Sequence, residues 1–233
     1  DGTPTGTVLI KDIRPGSISS ELRYLKTNPA GTAIYFQAND GVTGIEPWKT
    51  DGTAVGTVQI KDIHTGANNS SPVYFQHLGT TTLFRAASGA NGTELWKTDG
   101  TANRTMLVRD IRFGVASSTP NMQYGATIGS NFYFVADDGQ HGPELWASDG
   151  TKAGTRMVKD VNKGAGTGAH RALAAVGNTV FFAGEDGVSG RELWKSDGTA
   201  AGTVLVKDIW NGSSSSNPAD LECMGKKLYF SAN

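Results

Sequence analysis

Three pairs of carboxylates stand six residues apart: Asp40 and Glu46, Asp138 and Glu144, Asp186 and Glu192. Two such groups flanking a tight turn offer hard oxygen ligands of the kind Ca²⁺ takes, although that ion gathers about six to eight of them. A fourth segment with the same surroundings carries Ser88 in place of the aspartate, and no loop holds a dense ligand series. No cofactor is therefore expected, and these pairs are the positions a Ca²⁺ ion would use. The histidines His64, His77, His141 and His170 have no Ser or Cys nucleophile at a shared spacing, so nothing resembles an activated nucleophile with its base. Cys223 is the only cysteine, which excludes internal disulfides; it is expected to be buried and inert. The expected catalytic set is empty.

A repeat explains why these residues recur. Asp-Gly-Thr begins at Asp1, Asp51, Asp99, Asp149 and Asp197, at steps of 50, 48, 50 and 48 residues. A fixed period of this size means one supersecondary unit copied several times. A residue present in every copy is first a candidate for building the copy. Function is better sought where the copies differ.

One period reads as four strands. In the fourth copy strand A is Leu173–Val176, strand B is Thr179–Phe182, strand C is Glu192–Lys195 and strand D is Thr203–Ile209. Asp186-Gly187 and Asp197-Gly198 mark the B–C and C–D turns, since Asp bonds to nearby backbone and Gly tolerates positive φ. The Asp-Gly-Thr turns have the content and placement of the Asp-box of sialidase propellers, but an Asx turn, a positive-φ glycine and a local Thr hydroxyl explain them structurally. Arg104 replaces the second glycine of the third copy, so that turn is expected to differ. Asp12, Asp62, Asp110, Asp160 and Asp208 close strand D and are expected to cap the Gly/Ser-rich D–A loop.

Four antiparallel strands per period, with no helical spacing, describe a propeller blade. The expected fold is one all-β domain over residues 1–233, a β-propeller of five four-stranded blades. Closure would come from the N-terminal strand D (Thr7–Ile13) pairing into the blade begun by Leu221–Ala232. A slice of a larger array of six to eight blades is the alternative. Trp48, Trp96, Trp146 and Trp194 on strand C would fill the gaps between blades. If strand A lines a channel, one ring holds Asn28, Gln76, Ala126, Ala174 and Glu222, and the next Pro29, His77, Thr127, Ala175 and Cys223. Glycoside hydrolysis needs two facing carboxylates, and only Glu222 is offered.

Twenty-one Lys and Arg against 22 Asp and Glu leave a net charge of −1, with no basic footprint for nucleic acid or an anionic membrane. No apolar run approaches a transmembrane length. The chain starts in mid-repeat without methionine, so it reads as a processed or excised portion, and the lack of a visible signal says nothing about export.

Glu94-Leu-Trp-Lys-Thr-Asp-Gly-Thr101, Glu144-Leu-Trp-Ala-Ser-Asp-Gly-Thr151 and Glu192-Leu-Trp-Lys-Ser-Asp-Gly-Thr199 resemble the ELWxxDGT repeat of bacterial exported proteins. The first copy departs from it, with Pro47 where Leu stands elsewhere. The resemblance implies a repeat architecture and an extracellular or cell-surface setting, and no defined activity. Five blades of this size are also similar, in architecture alone, to tachylectin-type lectins.

In a propeller the D–A and B–C loops emerge on one face. That face would carry Arg14, His64, Arg112, Asn162 and Trp210 from the D–A loops, with Asp40, Asp138 and Asp186 from the B–C turns. Carboxylates and amides beside an aromatic suit sugar hydroxyls, and related weak sites add through avidity. The expectation is a non-enzymatic, lectin-like propeller binding glycans or cell-surface glycoconjugates between blades. A structural or adhesion module within a larger surface protein is the alternative.

Overall fold

The structure, a computed structural model, describes residues 2–233, so Asp1, the first residue of the first Asp-Gly-Thr turn, lies outside the described residues. Every regular element described is a β-strand. The first sheet holds β1 (Arg23–Thr27), β2 (Ile34–Asn39), β3 (Ile45–Thr50) and β4 (Val58–Gln59). The second holds β5 (Val73–Leu78), β6 (Thr81–Ser88), β7 (Gly92–Thr98) and β8 (Met106–Arg109). The third holds β9 (Asn121–Ile128), β10 (Asn131–Asp137), β11 (Pro143–Ser148) and β12 (Arg156–Lys159). The fourth holds β13 (Ala169–Val176), β14 (Thr179–Glu185), β15 (Arg191–Ser196) and β16 (Val204–Lys207). A fifth sheet contains β17 (Ala219–Met224) and β18 (Lys227–Ser231) alone.

Spatial order equals chain order in all four complete sheets, the meander of a propeller blade. Among the described residues no helix is long and apolar enough to cross a membrane, which says nothing of strands. The chain divides into two compact units, Asp1–Ala90 with Trp96–Met106, and Asn91–Leu95 with Leu107–Asn233.

Aromatics join strands B and C. Phe36 lies opposite Trp48, Phe134 opposite Trp146 and Phe182 opposite Trp194, all of them buried. Such cross-strand pairs are the main unit of sheet stabilisation. In the second unit Trp194 shares one core cluster with Tyr133, Val135, Leu145 and Val158 of the third sheet. The tryptophan therefore fills the gap to the preceding sheet, as its size and spacing suggested.

A second joint was not legible as such. The cation in the strand D phrase Val-Lys-Asp-Ile reaches forward to the next sheet's C–D turn. Lys11 donates to the Thr57 carbonyl at 2.7 Å, Lys61 to Thr105 at 2.8 Å, Arg109 to Thr155 at 2.6 Å and Lys159 to Thr203 at 2.7 Å. Arg109 and Lys159 also sit over the rings of Trp146 and Trp194, at 5.9 and 5.8 Å from their centroids, close enough for cation–π attraction.

Four expectations need correction. Thr7–Ile13 forms no strand and the fifth sheet has two strands, so the terminal pairing that would close a ring is absent from the described sheets. Strand D pairs with strand C in the complete sheets, and the described residues hold no fifth strand C. Thr7–Ile13 nevertheless makes the contacts of a strand D, through Lys11 and through Ile13, which packs on Phe36 and Trp48. Strand D is also shorter than expected, because its last amides turn to a buried glutamate.

Cys223 is exposed, on a hairpin of two strands alone. Lastly, the first-copy residues level with Gln76 and His77 are Lys26 and Thr27, opposite Tyr35 and Ile34, and not Asn28 and Pro29. The first A–B turn is longer, and Asn28 closes it by accepting the amides of Thr32 and Ala33.

Candidate functional site

The Glu of Glu-Leu-Trp is a joint. Glu46 is fully buried and accepts the amides of Ile63 and Ser70, at 2.9 and 3.1 Å, and the Ser70 hydroxyl at 2.6 Å. Glu94 does the same with Ile111 and Ser118, and Glu192 with Ile209 and Ser216. Each carboxylate thus ties strand C to the end of strand D and to the start of the next sheet. Burial raises Glu46 and Glu94 above the ordinary carboxylate range despite these donors. For Glu192 burial also acts upward but the Ser216 hydroxyl and the amides outweigh it, so its carboxyl is lowered.

The paired aspartates look elsewhere. Asp40 accepts the amides of Val42 and Thr43 at 2.8 Å, and Asp186 those of Val188 and Ser189 at 2.9 and 2.7 Å. Desolvation opposes their ionisation, but these turn donors win and lower both carboxyls. Asp138 closes the same turn and bonds the His141 ring at 2.8 Å, which raises the imidazole. Aspartate and glutamate therefore serve different donor sets, and no three His, Cys, Asp or Glu side chains among the described residues are grouped to hold a metal.

The Asp-Gly-Thr turns are likewise closed on themselves. Asp51 accepts the Thr53 amide and hydroxyl at 2.9 and 2.7 Å, and Thr50 bonds Thr57 across the turn at 2.7 Å. With Arg104 in place of glycine, Asp99 keeps both bonds to Thr101 and gains the guanidinium at 3.6 Å. Asp62, Asp110 and Asp208 accept the amides of Gly66, Gly114 and Gly212, capping the D–A loop as expected.

The variable D–A residues and the B–C turns do come together, copy by copy. A methyl group placed on Gly41 would lie 3.1 Å from Arg14 Nε; on Gly89, 3.1 Å from His64 Nε2; on Gly139, 2.9 Å from Arg112 Nε; on Gly187, 3.0 Å from Asn162 Oδ1. Each side chain lies flat on a glycine that leaves room for it. Asp40, Asp138 and Asp186 precede three of those glycines and are half-buried there.

Three of the loop residues also hold their own loop. Arg14 donates to the Ser19 carbonyl at 3.5 Å and Asn162 to Thr167 at 3.4 Å, while His64 Nδ1 lies 3.3 Å from the Asn69 carbonyl oxygen. Arg112 instead pairs with Asp137 at 3.0 Å. Trp210 is 51% exposed, and the described residues hold no B–C turn after it. The other face of the B–C turn is fixed by Gly44, Gly92, Gly142 and Gly190, all at positive φ and pressed on the carbonyls of Asn68, Ala116, Gly166 and Ser214.

His77 Nδ1 lies 3.3 Å from the Thr82 hydroxyl and His170 Nε2 3.3 Å from Glu185, and neither partner is a Ser or Cys nucleophile.

No family model matches the chain, and no curated protein matches it. Among solved structures it is similar to a puromycin-hydrolyzing peptidase from Mycobacterium tuberculosis, with TM-score 0.50, 10% identity, and coverage of 92% of this chain and 34% of that one. It is also similar to a puromycin hydrolase (TM-score 0.47, 13% identity, 83% and 31% covered) and to oligopeptidase B from Leishmania major (0.49, 14%, 79% and 26%). The chain spans about a third of the length of the first of these structures. At 10% identity the Mycobacterium tuberculosis likeness bears on the fold alone, and that fold is β-propeller-like.

Proposed function

We propose that this chain is a non-enzymatic, lectin-like binding propeller acting outside the cell. Its sites lie where Arg14, His64, Arg112 and Asn162 cross the B–C turns beside Asp40, Asp138 and Asp186. One observation carries the reading. The residues repeated from copy to copy are consumed by joints and turns, while a variable polar side chain (arginine twice, histidine and asparagine once each) is laid over an otherwise equivalent glycine at four places. Such a set offers several related polar sites, each weak alone. A glycan array followed by calorimetry tests it. Binding that is lost in the double variant His64→Ala/Arg112→Ala supports the reading, and no heat with millimolar monosaccharides opposes it.

Exposed apolar residues beside Arg112 favour a second reading, a module for protein contacts. Phe113 and Val115 are 92% and 78% exposed, and exposed apolar side chains on a loop suit a protein partner better than a sugar. Phe113→Ser would weaken capture of such a partner without changing glycan binding.

The ring of five blades belongs to the same proposal. Lys11 and Ile13 already make the forward contacts of a strand D. Appending a Glu-Leu-Trp-Lys strand after Asn233 is expected to protect the amides of Val8–Ile10 from hydrogen exchange. Unchanged exchange would argue against the ring.

A further inference from the structure

Tyr24 and Tyr74 hold the same place in β1 and β5, at the point where each strand shifts register against its neighbour. Both sit in the left-handed region, with φ of 57° and 58°, which is sterically unfavourable for a bulky side chain. The backbone feature is architectural, because Ala172 and Asp220 repeat it in later copies with φ of 80° and 52°. A tyrosine also stands at the corresponding place in β9, Tyr124, which is 47% exposed and does not have a positive φ, so bend and ring do not require each other. Small or acidic residues would satisfy that bend, so the aromatic rings need a separate reason.

Their surroundings supply one. The two rings meet edge to face, with centroids 5.6 Å apart, and the Arg85 guanidinium lies 5.1 Å from the centre of the Tyr74 ring. Tyr24 is 41% exposed, and its neighbours Arg23 and Lys26 are exposed on the same strand. Among the described residues no carboxylate pairs with Arg23, Lys26 or Arg85. Glu21 precedes the cluster and is also exposed. His77, which bonds toward Thr27, is held below its ordinary value by burial and by Lys26, so it stays neutral at neutral pH.

We infer that Tyr24, Tyr74, Arg85, Arg23 and Lys26 form a binding site for carboxylate-bearing sugar residues, as in a polyuronate chain. An exposed tyrosine face takes the C–H face of a pyranose ring, an amphipathic role for which tyrosine is suited. A guanidinium presents its donors in a fork that matches a carboxylate. Tyr74 orients that fork from below, through the cation–π contact. Successive cations along β1 would meet successive charges of the polymer. An acidic peptide would satisfy the cations but leave the exposed ring without its partner. The site shares no residue with the loop sites proposed above and stands or falls separately.

The test uses the full chain, titrated by calorimetry with oligogalacturonate, with a neutral maltooligosaccharide of equal length, and with polyglutamate. Oligogalacturonate alone is expected to bind, more weakly as salt is added. Tyr24→Asn keeps the left-handed backbone, which Asn accepts readily, and removes the ring. It and Arg85→Gln should each weaken binding by about tenfold, the size of one charge-assisted or stacking contact. Lys152→Gln, at an exposed cation outside the cluster, should leave binding unchanged. The proposal is overturned if oligogalacturonate fails to bind, if polyglutamate or the neutral sugar binds equally well, or if Lys152→Gln weakens binding as much as Arg85→Gln. Unchanged melting temperatures certify the variants, and Arg85→Gln decides the matter should Tyr24→Asn fail to fold.

Discussion

Gly168 lies against the Glu144 carboxylate so closely that a methyl group at 168 would overlap it. In the three sister joints a serine occupies this place and its hydroxyl closes on the glutamate at 2.5 to 2.6 Å. Without that donor Glu144 Oε2 is buried and unpartnered, and burial pushes the carboxyl up to about 8 from its ordinary value of 4.5.

The folded chain therefore holds this proton more tightly than the unfolded chain does. Its contribution is fully present below about pH 4.5 and is lost as pH rises through about 8. Urea midpoints should fall between pH 5 and pH 9, by an amount worth on the order of a few kcal/mol. Gly168 is not among the positive-φ glycines, so Gly168→Ser is compatible with the backbone once the carboxylate retreats to the position its sisters take. That variant should shrink the fall. An equal fall in both proteins would show that the joint does not titrate.

The forward cations can be ranked. Lys159→Met loses the bond to Thr203 and the contact with Trp194, and should cost about 1–2 kcal/mol in denaturant unfolding. Lys207 occupies the same position in β16 but meets no such carbonyl among the described residues. Lys207→Met should change stability by less than about 0.5 kcal/mol. Equal losses would mean that the cation acts through strand propensity alone.

Two glycines separate strain from crowding. Gly177 has φ of +59° with open space around it, whereas Gly190 has φ of +68° and faces the Ser214 carbonyl. Gly177→Ala should cost about 1 kcal/mol, the price of a left-handed residue with a Cβ. Gly190→Ala should cost about 2–4 kcal/mol, because the D–A loop must also move. Thermal melts that rank them the other way would show that the loop yields easily.

Trp210→Ala probes function without touching the core. Half-exposed on its loop, the side chain should alter the melting temperature by no more than a surface substitution does, about 0.5 kcal/mol in stability terms. Glycan affinity should drop severalfold if the loop face binds sugar. A large loss of stability would mark Trp210 as another structural aromatic.

The period, the four-strand meander and the buried tryptophans were legible because Glu-Leu-Trp and Asp-Gly-Thr carry strand alternation and turn chemistry in a few residues. The joints were not. Glu46 looked like half of a cation site because spacing shows proximity in sequence, and Ser70 lies 24 residues away. The one break in that pattern, Gly168, was visible as a glycine among serines, but its meaning needs a partner that only folding supplies. The first copy's strand A was misaligned because its A–B turn is longer than the others. Tyr24 and Tyr74 were passed over because a strand shift at positive φ leaves no mark on a sequence pattern.

The forward cation gives the repeat a direction. Four successive copies each extend a donor ahead across 44 or 46 residues, and the copies after the first receive one from behind. Key and lock are thus encoded in the same segment, and a duplicated segment arrives with its own fastening at both ends. Such a design lets copy number drift by whole units during descent without inventing a new interface, while the loops laid over each turn diverge one by one.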